Sequence, residues 1–349
     1  MQLFISHQSA LEYWRNCSTR PAQSPVQIAP QHTPSLAAHE AEWLGQHWGI
    51  TAPVHVCVAA QGKMRRPSTI ICHLEKAPVE GAGYLHLGKN TYVASPELTA
   101  VQLAKLVSTA PSPAAPPLGS PAMRNKLPGV MLAMVLCEMM GSYRLNAAEP
   151  NGFVEATPLF KRRALEELLA NNKRFPGRCS LEFAVEHAIE ASASPAETAL
   201  ALFETLPLSC GGMGLAQRPL LNATVQASFK QHSRMLRPDQ LFADAGIVVE
   251  YNGSYHVGER ANADERRRLE LESSGYTVKS INSEQLFDAS ALDEALRPLQ
   301  NKVGTSGRRP ADHEARRADL RAVVFEACNT RCAENVGAFL PAGLAPAAS

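Results

Sequence analysis

Asp239 and Glu250 are the two side chains whose type and spacing suggest chemistry. They flank a turn, Ala243-Asp244-Ala245-Gly246, and lie in two short apolar stretches, Leu236–Phe242 and Ile247–Tyr251. The β-branched run Ile247–Val249, bounded by Gly246 and Gly253, reads as a buried strand. A hairpin through Gly246 makes Leu236–Phe242 its partner and sets two carboxylates on neighbouring strands. Mg²⁺ asks for hard oxygen ligands, typically one or two carboxylates with water and phosphate completing the shell. With Mg²⁺ or Mn²⁺ bound by Asp239 and Glu250, such a site would generate hydroxide against a phosphodiester. Each residue has a plainer role too. Asp239 can be a strand-edge carboxylate paired with Arg237, and strand alternation can turn Glu250 to solvent.

Other polar residues gather around this pair. Asn252 lies two residues beyond Glu250, on the same side of the strand. It can position water or phosphate, or simply close the strand in an Asn-Gly turn. Ser194-Pro195-Ala196-Glu197 has the spacing of a helix capping box, with Glu197 at the third position. Asp264-Glu265-Arg266-Arg267-Arg268 opens a charged helix, in which the arginines can pair along the surface. His256 reads, on its own, as a loop histidine.

These parts together resemble the PD-(D/E)xK nuclease superfamily, in particular the domains akin to very-short-patch-repair endonucleases. The resemblance runs from about Ser192 to Leu286. It rests on Ser194-Pro195-Ala196-Glu197, Pro238-Asp239, Val249-Glu250-Tyr251-Asn252-Gly253, His256, Asp264-xx-Arg267 and Gly275-Tyr276-Thr277-Val278. It implies an α-β-β-β-α-β restriction-endonuclease-like core of mixed sheet, and DNA as the partner. In site terms it implies Asp239 and Glu250 as metal ligands and Glu197 as an acidic residue aimed at the metal. His256 becomes a water-binding or general acid/base residue. Arg267, with Arg268 and Arg237, becomes the cation set for phosphate. Asn252 departs from the pattern, which usually has Lys there and in close relatives often Asp. Residues 50–190 are similar to the linking region of proteins related to AbiEi-type antitoxins, with Val93-Ala94-Ser95-Pro96-Glu97 the sharp local match.

The elements that must position these residues follow from the rest of the chain. A region of α+β character is expected over 1–108, with strands at Val54–Ala59, Thr69–Leu74 and Tyr92–Ala94. Helices are expected from Ser9 through Trp14 and from Thr33-Pro34 to about Gln46, with Trp43 and Trp48 as packing residues. The proline-rich stretch 109–128 reads as a linker. Residues 129–191 read as helical, at Val130–Tyr143, Pro158–Asn171 and Ser180–Ser192, with basic residues at Lys161-Arg162-Arg163, Lys173-Arg174 and Arg178 that can meet phosphate or simply solvate a face. The nuclease-like domain spans 192–300. Cys210-Gly211-Gly212-Met213-Gly214 lacks the Lys-Ser/Thr of a phosphate loop and reads as a tight connection. Residues 301–349 read as an arginine-containing, partly disordered tail with a helix at 311–334. Cys328 and Cys332 share a face of that helix, without a second Cys/His pair to make a zinc site.

The 349 residues carry 34 Lys+Arg and 33 Asp+Glu, so no global field advertises nucleic acid and any DNA contact must be local. Eight cysteines lack framework spacing, and with no secretory leader they read as reduced thiols of a cytoplasmic protein. The longest apolar run, Val130–Met140, is too short to span a bilayer and contains Glu138. Two functional expectations follow. One is a metal-dependent DNA endonuclease of defence or repair. The other is a DNA-binding regulator, antitoxin-like, with a cognate toxin or another protein as partner and an inactive nuclease fold.

Overall fold

The computed structural model describes residues 2–30, 36–59, 68–75, 77–109, 119–229, 232–252 and 259–325. The protein is mixed α/β with mixed sheets. It divides into two compact units, one within residues 1–115 and 126–188 and the other within 116–125 and 189–331. No helix among the described residues is long and apolar enough to cross a membrane.

The first unit runs β1 (Leu3–Ile5), α1 (His7–Arg15), α2 (Ala38–Trp48), β2 (Val54–Val58), β3 (Ile70–Leu74), β4 (Tyr84–Gly88), β5 (Thr91–Ala94) and α3 (Pro96–Thr109). Its sheet has the order β3-β2-β1-β5-β4, with β2–β3 and β1–β5 parallel. β1 and β4 are strands that the sequence did not disclose: β1 is short and is completed by β2 and β5, far along the chain, while β4 pairs with the adjacent β5 in a hairpin whose register shifts between His86 and Gly88. Ser9 does not cap a helix. α1 starts two residues earlier, and the buried Ser9 hydroxyl instead accepts the His55 N–H at 3.0 Å. The described helix α2 begins at Ala38, and Thr33-Pro34 lies outside the described residues. Trp43 and Trp48 do pack, edge to face at 5.2 Å, with Trp48 against Tyr13.

The proline-rich stretch is not all linker. From Pro121 it becomes the first turn of α4 (Pro121–Met140), where a proline's missing N–H has no consequence. Glu138, the charge within that apolar helix, is fully buried against Arg15, whose Nη2 lies 2.8 Å from its carboxylate. Nor is 129–191 wholly helical, because a hairpin of β6 (Tyr143–Leu145) and β7 (Phe153–Glu155) interrupts it. α5 (Arg162–Asn171) starts four residues later than the expected Pro158, and both the N–H and the hydroxyl of the preceding Thr157 donate to the Ser18 carbonyl, at 2.9 and 3.4 Å.

α5 and α6 (Arg178–His187) close each other's ends. Arg162 donates to the Val185 and Glu186 carbonyls that end α6, and Arg178 to the Leu169 carbonyl near the end of α5. A cation on the last carbonyls satisfies orphan acceptors and meets the negative end of the dipole. These two arginines of the expected basic patch are therefore committed within the fold. Arg162→Ala is expected to lower stability by about 2 kcal/mol, seen as a lower urea midpoint with an unchanged denaturant slope.

The second unit runs α7 (Pro195–Thr205), β8 (Leu220–Leu221), β9 (Val225–Phe229), β10 (His232–Leu236), β11 (Gln240–Phe242), β12 (Ile247–Asn252), α8 (Glu259–Ser273), β13 (Thr277–Asn282), α9 (Ser283–Phe287), α10 (Ala289–Val303) and α11 (His313–Val324). Its four-stranded sheet has the order β13-β12-β11-β8. β11 is antiparallel to both β12 and β8, and α8 carries the chain across to a parallel β13. The stretch 223–229 does not join this sheet but pairs with β10 in a separate ribbon. Gly246 makes the turn into β12 at a φ of 59°, the left-handed region a residue with a Cβ enters at a cost. Leu241 and Val248 bury against Leu271 of α8, with Val278 packed beside them.

Residues 301–325 are not a tail. The Ser306 N–H bonds the Gly214 carbonyl at 2.7 Å, His313 Nδ1 lies 2.9 Å from the Leu208 carbonyl, and Arg317 stacks over the Phe203 ring. Leu320 and Val324 supply the buried stripe that the Gly/Ser/Arg composition obscured. Cys328, Cys332 and the rest of the expected helix beyond Phe325 lie outside the described residues. The Cys210–Gly214 turn returns the chain onto α7, the Leu215 N–H meeting the Glu204 carbonyl at 3.0 Å, which is a tight connection.

Candidate active site

The expected strand 236–242 is broken at Arg237-Pro238-Asp239. Pro238 cannot donate to a ladder, so β10 ends at Leu236 and β11 begins at Gln240. Asp239 thus sits at the break rather than within a strand. Gln240 pairs with Val249, which sets Asp239 opposite Glu250 across the antiparallel pair. Facing side chains in such a pair lie about 5 Å apart at Cβ. The Tyr251 N–H donates to Asp239 Oδ2 at 2.7 Å and locks that carboxylate in place. No described residue hydrogen-bonds its Oδ1. Asp239 does not pair with Arg237, whose Nε donates to the Asn222 carbonyl at 3.1 Å.

Glu250 is turned from solvent, with its side chain 14% exposed. Arg267 of α8 donates from Nε to Glu250 Oε1 at 3.2 Å and from Nη2 to the Arg237 carbonyl. Glu250 Oε2 takes no hydrogen bond from the described residues. Asp239, Glu250, Asn252, Asp264, Arg267 and Arg268 line one open cleft of about 540 Å³. Arg268 is spent along its own helix, on Glu265 and Glu272 at 2.7 Å each. His256 lies outside the described residues.

Glu197 is both cap and neighbour. Its N–H donates to Ser194 Oγ at 3.2 Å, while its carboxylate accepts from Ser194 Oγ, from the Ala193 N–H and from Asn222 Nδ2 at 2.7 Å. Burial first, and then the Asp239 charge, push its pKa up to about 7. Burial first, and then Asp239, likewise raise Glu250 to about 7, with Glu197 adding and Arg267 opposing. Asp239 itself is raised by burial, against the Tyr251 N–H and Arg267. Three carboxylates therefore share one region with a single guanidinium in contact. Among the described residues no group of three or more His, Cys, Asp or Glu is arranged to hold a metal ion. Two carboxylate oxygens are nevertheless uncommitted, and two are what Mg²⁺ commonly draws from a protein.

Two features escaped sequence reasoning. Asn222, which steadies Glu197, is remote from it in sequence and left no signal. Glu204 of α7 is fully buried, with the Gln240 side chain engaging its carboxyl. Burial holds the Glu204 carboxyl well above the usual carboxylate range, with the Gln240 side chain opposing. Its spacing of seven from Glu197, two turns along the same face, was the available clue.

No protein family, no characterised protein and no solved structure matches this chain.

Proposed function

We propose that the second unit is a divalent-metal-dependent phosphodiesterase acting on DNA, built as a PD-(D/E)xK-type nuclease core. The observation that carries this reading is the pair of uncommitted oxygens on Asp239 and Glu250, facing one open cleft beside Arg267. The order α7, β8, β11, β12, α8, β13, with a parallel β12–β13 crossover, supports the nuclease-like core. The donor set suits a hard cation, since both groups are carboxylate oxygens and both carry the penalty of mutual repulsion that a cation relieves.

When bound by Asp239 and Glu250, Mg²⁺ or Mn²⁺ supplies a Lewis acid for the scissile phosphate and lowers the pKa of a water. The chain's own residues do the rest. The Tyr251 N–H fixes the Asp239 carboxylate. Arg267 holds Glu250 and offers positive charge to a phosphate in the cleft. Glu197, raised to about 7, is poised to hold or release a proton at neutral pH. Asn252 offers an amide at the position where the superfamily's lysine would stand.

That substitution is the one observation favouring a second reading, a DNA-binding regulator whose nuclease fold is inactive. Incubation of supercoiled plasmid and single-stranded DNA with Mg²⁺, Mn²⁺ or EDTA tests both. Metal-dependent nicking supports the hydrolase. Salt-sensitive binding without cleavage supports the regulator, and absence of both overturns any action on DNA.

A further inference from the structure

The first unit contains a cavity of about 440 Å³ that the proposed nuclease chemistry does not use. It lies past the C-terminal ends of the parallel strands β2 and β3, between the start of α1 and one face of α3. Leu98 and Val101 of α3 and the neighbouring Phe175 and Pro176 supply its apolar lining. The rest of the lining is polar and built. The buried Gln102 accepts the His7 N–H at 3.0 Å and donates to Cys57 Sγ and to the Tyr84 hydroxyl. Tyr84 in turn donates to Glu75, so the one acidic side chain on the cavity already has a partner.

His7 is held at a φ of 50°, a left-handed conformation that costs a non-glycine residue about 1 kcal/mol or more. Its buried ring stacks on His73 at 3.7 Å, and His73 Nε2 lies 2.9 Å from His55 Nδ1. Burial keeps His55 near 4 and His73 near 3, so these rings are uncharged at neutral pH. The rings stack rather than converge on a point, and they form no metal group. The charge of the cavity is set instead by Lys105, whose Nζ also donates to the Leu74 carbonyl at 3.0 Å, and by Arg174. Arg174 is exposed at the rim, and no hydrogen bond or ion pair engages it among the described residues. Gly177 seats this rim. A Cβ there would meet the Ala104 carbonyl oxygen at 2.2 Å, so glycine alone lets the Arg174–Pro176 segment lie against α3.

We propose that this cavity binds a small organic monocarboxylate, its apolar body against Leu98, Val101 and Phe175 and its carboxylate toward Lys105 and Arg174. An apolar pocket with a few convergent polar groups is the ordinary form of a small-molecule site. With Lys105 and Arg174 against the single Glu75 carboxylate, the lining carries a net positive charge that favours an anion. The mixed wall selects against inorganic phosphate, which has no apolar body to bury.

The test uses the full chain, with phenylacetate and hexanoate as probes and 2-phenylethanol and hexylamine as neutral and cationic counterparts. Isothermal titration should give saturable binding of at least one acid and none of the counterparts. Arg174→Ala, a surface change, should weaken that binding about tenfold, the value of one charge-assisted contact. Val101→Phe should abolish it by filling the cavity, and the exposed Arg174 variant decides the matter if Val101→Phe does not fold. No saturable binding of either acid overturns the proposal. Equal binding of acid and alcohol, or acid binding indifferent to Arg174→Ala, overturns it as well. Asp239 lies in the other unit, so Asp239→Asn should bind the acid as wild type does, which separates this result from the fate of the nuclease reading.

Discussion

Asp239→Asn is expected to remove metal-dependent DNA cleavage by ~10³-fold while leaving the fold intact. Asparagine keeps the shape and still offers an oxygen to the Tyr251 N–H, which now meets Asp239 Oδ2 at 2.7 Å. What it loses is the negative charge that a hard cation requires. Lewis-acid stabilisation by a bound metal contributes several kcal/mol, and each 1.36 kcal/mol is tenfold in rate. Cleavage rates measured over a Mn²⁺ series, beside a thermal unfolding curve for each protein, check the expectation. An Asp239→Asn protein that melts normally and still cleaves at the wild-type rate would remove Asp239 from the chemistry. A loss that high Mn²⁺ restores in part would locate the defect in metal affinity.

The second large effect concerns stability and has the opposite sign from most substitutions in a folded core. Glu250→Gln is expected to stabilise the second unit by roughly 2–3 kcal/mol at pH 8, and by little at pH 4.5. Burial and the neighbouring Asp239 raise Glu250 from its ordinary 4.5 to about 7. A carboxyl raised in the folded state binds more protons there than in the unfolded chain. Stability is therefore greatest below about pH 4.5, falls as pH rises to about 7, and is flat above. Glu197 adds a decline of the same sign in the same window. Glutamine removes the charge yet still accepts from Arg267. Urea titrations at pH 4.5, 6 and 8 should show the wild type weakening with pH and the variant less so. Mg²⁺ should recover the lost stability of the wild type at pH 8, because a ligand that binds only the folded state stabilises it. Wild-type stability independent of pH between 4.5 and 8 would show that the carboxylates are not in mutual repulsion.

Such strain between like charges is a property of arrangement, and that marks the limit of what could be read along the chain. Features set by near neighbours were legible. The Ile247–Val249 run became β12, because three β-branched residues favour extended backbone and the following strand could bury them. Gly246 made the turn, and Ser194 with Glu197 made the helix start, since each needs only residues a few positions away. The α/β class followed from these periodicities.

What depended on distant partners was not legible. The sequence placed Asp239 in a strand, but Pro238 breaks the ladder, and only the β11–β12 register shows which residue then faces Glu250. Arg267 could be assigned to a surface pair or to phosphate, and the packing of α8 against the sheet decides that it holds Glu250. Leu320 looked like part of a polar tail until folding supplied a surface for it. The burial of Glu204 is decided only by the packing of α7, with Gln240 of β11 beside it. Secondary structure here is written in local steric preference, so the sequence alone determined the Gly246 turn, the Ser194 cap and strand β12 of the second unit. Burial, register and charge repulsion are sums over residues far apart in the chain, and only the tertiary structure decided which carboxylates meet.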